Sequence, residues 1–191
     1  MLLAAGAAGS GMESRSTSRP ERSNRGRAVS ANADAAGRRD PRKLLLVSSS
    51  GGVLLELLAL EPWWSRHDVA WAAVPAADTR PLLAGQQHVH WIRDVSIRRP
   101  FGLLPGLLRA GRILRAERPD LVVSAGSAPA VPFFLAAAVA DIPTFWISTL
   151  NVLRTPGLTA RICARLASQV LVQRPSQRAA HPDGTVIGEL Y

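Results

Sequence analysis

The chain contains one cysteine, Cys163, and that count alone excludes an internal disulfide and every zinc site built on paired cysteines. A reduced, cytoplasmic setting is the default for such a protein, and the lone thiol reads as a small residue packed on a helix. Long apolar runs are also missing. The longest, residues 128–140, is broken by Pro129 and Pro132 and closed by Asp141, well short of the ~20 residues a membrane span needs. If membrane is involved, the chain lies on it or is held to it by a partner. The opening MLLAAGAAGSG lacks the basic start of a secretory signal, and Met12 offers a second start. Acidic residues are scarce, 14 against 23 Lys and Arg. Residues 1–42 hold eight arginines against Glu13, Glu21, Asp34 and Asp40, and the rest holds 15 basic and 10 acidic residues, giving +4 and +5. This balance suits nucleic acid, anionic lipid or phosphorylated substrates alike.

What is present divides the 191 residues into two regions. Residues 1–42, rich in Ser, Arg, Gly, Ala and Asn, hold too few large apolar side chains to offset their ordering entropy and read as a disordered basic arm. Residues 43–191 alternate short apolar runs with amphipathic stretches. Expected strands are Leu44–Ser48, Asp68–Val74, His88–Arg93, Asp120–Ser124, Thr144–Ser148, Gln169–Val172 and Thr185–Ile187. Expected helices are Val53–Leu60, Leu103–Glu117 and Pro129–Ala140, with a last one capped by Thr155 and started by Pro156. On the second of these, Leu104, Leu107, Leu108 and Leu114 are expected on one face and Arg109, Arg112 and Arg115 opposite, either solvated or laid on anionic lipid. The pairs Trp63-Trp64 and Phe133-Phe134 read as core. The alternation predicts an α/β fold: a Rossmann-like, doubly wound parallel sheet in a three-layer α/β/α arrangement.

In such a sheet ligands bind beyond the carboxyl ends of the strands where the winding reverses. Three loops are expected to converge there. The first is Ser48-Ser49-Ser50-Gly51-Gly52, the second Ser124-Ala125-Gly126-Ser127, and the third Ser148-Thr149-Leu150-Asn151, with Arg154 just beyond. Glycines that admit close backbone approach, serine hydroxyls and a helix start favour a phosphate or diphosphate, although a plain strand-to-helix turn needs the same glycines. The spacing matches neither the dinucleotide fingerprint nor the P-loop. Acid–base candidates are few. No histidine falls in these loops, and His88 and His90 share a strand face without a third metal ligand. Glu56, one turn into the first helix, reads as a catalytic group reaching the loop, as a solvated acid or as an acid that stabilises the helix's N-terminal dipole.

With these residues placed, the segment from Lys43 onward resembles a family: bacterial exopolysaccharide glycosyltransferase subunits related to the membrane-recruiting subunit of the dolichol-linked N-acetylglucosaminyltransferase. The resemblance rests on KLLLVSSSGGVLLELLAL, EPWWSRHDVAW, ERPDLVVSAGSAPAVPFF, IPTFWIS, TPGLTARI, VLVQRPSQ and VIGEL, in that order. It implies the N-terminal, acceptor-side half of a GT-B glycosyltransferase, with a second polypeptide supplying the half that binds the UDP-sugar. The reaction implied moves N-acetylglucosamine or a related sugar onto a lipid-diphosphate-linked saccharide, with no cofactor and no metal, at the cytoplasmic membrane face. Ser49, Ser50, Gly51, Gly52, Ser124, Gly126, Ser127, Asn151 and Arg154 would face the acceptor's diphosphate. The end at Tyr191 would mark the missing second half. Gly51, Gly52, Glu56, Gly126 and Pro132 fit the family pattern. Val53 stands where the family has His, Ser148 where it has Glu, Val152 where it has Arg, and Ala128 where it has Gly. An acceptor hydroxyl must shed a proton, so this site is a poorer base. Two rivals follow: an inactive scaffold that recruits a catalytic partner to the membrane, and a nucleic-acid binder acting through the arm.

Overall fold

The computed structural model of the chain describes residues 42–95, 103–150 and 155–190. The expected arm lies, but for Arg42, outside the described residues, as do Asn151, Val152 and Arg154. Seven strands form one sheet: β1 (Lys43–Ser48), β2 (Asp68–Ala73), β3 (His88–Trp91), β4 (Leu121–Ser124), β5 (Thr144–Ser148), β6 (Gln169–Val172) and β7 (Thr185–Val186). Their order is β3-β2-β1-β4-β5-β6-β7, and every pairing is parallel. The winding therefore reverses between β1 and β4, where Leu44 pairs with Leu121 and Val47 with Ser124.

Both faces of β1 are apolar because both are covered. Leu44 and Leu46 pack with Leu54, Leu57 and Trp64 from α1 (Gly52–Leu58) and α2 (Glu61–Trp64). Leu45 and Val47 pack toward α4 (Leu103–Glu117), α5 (Ala130–Val139) and α6 (Leu158–Leu166). The short α3 (Thr79–Leu82) joins β2 to β3, and a 3-10 turn, Pro175–Ala179, follows β6. Phe133 and Phe134 are fully buried, each contributing roughly 2–3 kcal/mol of apolar burial. Trp64 is buried too, its indole N–H donating to the Leu57 carbonyl at 2.8 Å. Trp63 departs from the core reading. It is 37% exposed and meets His67 edge-on.

Two helix expectations are corrected. On α4 the buried stripe runs through Ala110, Ile113, Leu114 and Glu117, whereas Leu104 and Leu108 are 60% and 54% exposed. At 100° per residue Leu104 and Leu108 lie on the flank shared with Arg112 and Arg115, away from the sheet. The last helix starts at Leu158, not Pro156. Gly157 is extended (φ −63°, ψ 169°) and its carbonyl accepts the first helical bond, from the Arg161 N–H at 3.0 Å. Leu158, the first residue of that helix, is 57% exposed.

An ion cluster closes the rim opposite the carboxyl ends of the strands. Lys43 Nζ lies 2.8 Å from Glu117 Oε2 and 3.5 Å from Asp68, while the Lys43 backbone N–H donates to Asp120 at 2.8 Å. His90 Nε2 lies 2.5 Å from Glu117 Oε1, so the histidine of the suspected pair is committed to a carboxylate, and His88 is exposed. Burial pushes the Glu117 carboxyl up, but the hydrogen bonds and charges of Lys43 and His90 outweigh it and hold it below the ordinary range.

Candidate functional site

The three loops meet at the carboxyl rim. Gly126 is the hinge of the meeting. Its φ of +145° is a glycine conformation, and a Cβ there would touch Val53, at the start of α1 just after the first loop, at 3.4 Å and Thr149 of the third at 3.5 Å. Ser127 follows at φ +70°, a strained value for a residue with a side chain.

The predicted ligands are not equally available. In the first loop, Gly51 adopts φ +71°, and its N–H donates to Asp78 Oδ2 at 2.9 Å. That bond holds the Asp78 carboxyl below its ordinary range. Ser49 and Ser50 lie at the edge, Ser50 and Gly52 exposed, with the Ser49 hydroxyl donating to the Ser50 carbonyl at 3.3 Å. Ser124 is fully buried. Its hydroxyl donates to the Val47 carbonyl at 2.8 Å and bonds Gly126, so it ties the ends of β1 and β4 together. Glu56, read as solvated or catalytic, is only 4% exposed within α1. A solvated acid is therefore ruled out at this position.

Residue reasoning missed the groups that set the third loop. Gln173 and Gln177 are buried. Gln177 Oε1 accepts the backbone N–H groups of Gln173 and Arg174 at 2.8 and 3.0 Å, and its Nε2 donates to the Thr149 carbonyl at 2.7 Å. Gln173 Nε2 donates to the Ser148 carbonyl at 3.2 Å, and Gln177 Nε2 lies 3.5 Å from the Ser148 hydroxyl. The serine that stands in the family's Glu position is thus fixed by two amides. The available signal was a pair of glutamines four residues apart across Pro175, directly after an apolar strand. Asp78 had no such signal, since it reaches the first loop from 27 residues away.

Beneath the loops lies a cavity of about 220 Å³. Val53, Gly126, Ser127, Trp146, Thr149 and the start of α6 line it. A larger cleft, about 520 Å³, lies between the end of β3 and α4, lined by Trp91, Arg93, Arg109, Pro132 and Phe133 among others. Such a volume suits a sugar-sized guest.

No protein-family profile matches the chain. Among curated proteins, it is similar to enzymes named UDP-N-acetylglucosamine–N-acetylmuramyl-(pentapeptide) pyrophosphoryl-undecaprenol N-acetylglucosamine transferase. It is 34% identical to that of Roseiflexus sp. over 126 residues, which cover 66% of this chain and 25% of the relative. For Lachnospira eligens the figures are 34% over 88 residues, 46% and 24%, and for Xylella fastidiosa 38% over 81 residues, 42% and 21%. The chain thus spans about a quarter of the length of the relatives it matches. Among solved structures, Acinetobacter baumannii MurG superposes with a TM-score of 0.61 at 23% identity, covering 71% of this chain and 43% of that one. The UDP-GlcNAc 2-epimerase of Methanocaldococcus jannaschii gives 0.60 at 13% identity, covering 77% and 45%. These likenesses and the sheet order define the fold as the Rossmann-like half of a GT-B architecture. The names of these relatives speak of pyrophosphoryl-undecaprenol and not of exopolysaccharide or dolichol, so the glycosyltransferase part of the motif reading is supported and its exopolysaccharide and dolichol framing is not.

Proposed function

We propose that the chain is the acceptor-side half of a GT-B glycosyltransferase. It would move N-acetylglucosamine or a related sugar from a UDP-sugar to a saccharide carried on a lipid diphosphate, with the donor held by a second, C-terminal-type half. The observation that carries this reading is the likeness to N-acetylglucosamine transferases on a GT-B half whose loops converge at the sheet's carboxyl rim. In this reading the rim receives the acceptor, and the cleft beside α4 receives its sugar. With Val53 and Ser148 in the His and Glu positions of the resembled family, the base that takes the acceptor's proton comes from the partner half or from Glu56.

The membrane side of the reading has its own support. No helix among the described residues is long and apolar enough to cross a membrane. Leu104 and Leu108 are exposed on α4 beside Arg112 and Arg115, with Val139 of α5 89% exposed nearby, the composition of a surface that rests on anionic lipid.

The test is co-expression with a GT-B C-terminal half, followed by transfer of labelled sugar from UDP-N-acetylglucosamine to a lipid-diphosphate acceptor. Transfer that requires both chains is expected. Absence of transfer together with absence of association would overturn the reading. A second reading, a scaffold that recruits a catalytic partner without contributing to chemistry, is favoured by the locking of Ser148 into the glutamine network. It predicts an active complex whose turnover survives Gly126→Val.

A further inference from the structure

The third loop and residues 188–190 share one side chain. Gln173 follows β6 directly, is buried, and uses both ends of its amide. Its Oε1 accepts the Leu190 backbone N–H at 3.3 Å, and its Nε2 donates to the Ser148 carbonyl at 3.2 Å. A backbone N–H can only donate and a carbonyl can only accept, so one orientation of the amide serves both and the flipped one serves neither. The main chain of Gln173 extends the connection. Its N–H donates to Gln177 Oε1 at 2.8 Å, and Gln177 Nε2 donates to the Thr149 carbonyl at 2.7 Å. Ser148, Thr149 and Leu190 thus hang on two buried glutamines joined by one bond.

The seat of Leu190 is built around that amide. Gly188 turns the chain at φ +91°, after the Ile187 N–H has donated to the Val172 carbonyl at 2.9 Å. Glu189 meets Arg174 at 2.6 Å, but both side chains are exposed, and such a surface pair contributes little. The Leu190 side chain packs on the apolar cluster that includes Ile147, the residue before Ser148. Lifting Leu190 leaves the oxygen of a buried amide without a donor, and any turn of the amide that finds another donor takes Nε2 away from Ser148. We infer that Gln173 is a positioning residue for the third loop: it makes the placement of Ser148 depend on the seating of residues 188–190. Any contact that lifts that segment is then felt at the loop. Packing alone does not call for this side chain, since an apolar one of equal size would fill the space and link nothing. A consequence for sugar transfer rests on the acceptor-side reading above; the coupling itself does not.

The carbonyl carbons of Ser148 and Thr149 report on the loop, since each resonance moves when its hydrogen bond is lost. In the ¹³C,¹⁵N-labelled full chain, Leu190→Pro removes the N–H that Gln173 accepts and keeps much of the apolar bulk. The Ser148 carbonyl is expected to move upfield, toward its position in Gln173→Met, where the bond cannot form. The Gln173 side-chain amide protons should exchange with solvent about five-fold faster, the loss of one ordinary bond. Thr149, held by Gln177, should move less. In the Gln173→Met background, adding Leu190→Pro should move Ser148 no further. If Gln173→Met does not fold, the comparison is with Glu189→Ala, which cuts the Arg174 pair but keeps the Leu190 N–H and should leave Ser148 in place. An unmoved Ser148 in Leu190→Pro, the same movement with and without Gln173, or an equal response to Glu189→Ala overturns the inference. Sugar transfer by the unaltered chain and a partner half is scored separately. Transfer beside an unmoved Ser148 removes the coupling alone, whereas a moved Ser148 without any transfer removes the enzymatic reading alone.

Discussion

Replacing Gln177 by leucine tests whether the glutamine network holds the third loop. The two side chains are close in size, so the change removes polarity and little volume. Three bonds of 3.0 Å or less disappear: those accepted from the N–H groups of Gln173 and Arg174, and the one donated to the Thr149 carbonyl. The Gln173 N–H is fully buried and would bear the whole desolvation penalty, about 1–3 kcal/mol. The other two groups are partly buried and regain water, at roughly 0.5–1 kcal/mol each. The sum is about 3 kcal/mol, which for a domain of about 150 residues lowers the midpoint of thermal unfolding by roughly 9 °C. Urea unfolding of both proteins, read by far-UV circular dichroism, measures it. A loss below about 1 kcal/mol would refute the reasoning, because it would mean that water already serves these groups and that Ser148 and Thr149 are positioned by something else.

Gly126→Ala should cost about 1–3 kcal/mol in the same assay. A φ of +145° is nearly closed to side chains, and the new methyl would press on Val53 and Thr149. Stability should fall between pH 7.5 and 5.5. Burial holds the His181 pKa below its ordinary 6.5, so the unfolded chain binds the proton first and the stabilisation is lost as pH drops through that value toward the folded pKa. His181→Asn should flatten this window, and an unchanged pH slope would count against it. Glu117, also held below its usual range, acts only at lower pH. Cys163 should resist maleimide at pH 8 until the chain unfolds, since burial pushes its thiol up to about 12; rapid labelling of the native protein would contradict its placement.

The sheet was legible because parallel strands covered on both faces must be apolar along their whole length, as Leu44–Val47 and Leu121–Val123 are. Strand periodicity also placed β5 and β6 to the residue. Helix faces were harder. Leu104 and Leu108 satisfy an apolar pattern on α4 as well as Leu107 and Leu114 do, and only the docking angle against the sheet leaves Leu114 buried, Leu107 half-buried and the other two exposed. The convergence of the three loops followed from strand order alone. The division of labour within them did not. Ser124 and Ser127 stand three residues apart in one serine-rich loop, yet the first staples β1 to β4 and the second has a free hydroxyl. Hydrogen-bond partners at 77 residues' separation leave no mark on local composition.

The first loop, which carries the strongest glycine signal, is the least open of the three to an anion. Asp78 already accepts the Gly51 N–H, so an incoming diphosphate would have to displace a carboxylate that repels it. The helix behind that loop is also only seven residues long, a weaker dipole than the longer α6 supplies. The longer helix, α6, starts on the side of Ser127, Trp146 and Gly157. Under the proposed function, a bound diphosphate is therefore expected toward β4 and β5, with the paired glycines providing clearance more than attraction. Asp78→Ala separates the two contributions. If Asp78 guards the corner, the variant should bind pyrophosphate several-fold more tightly at fixed ionic strength, with the added contact at the Gly51 amide. If affinity is unchanged while the Gly51 amide resonance shows it free, the paired glycines serve only to turn the chain from β1 into α1.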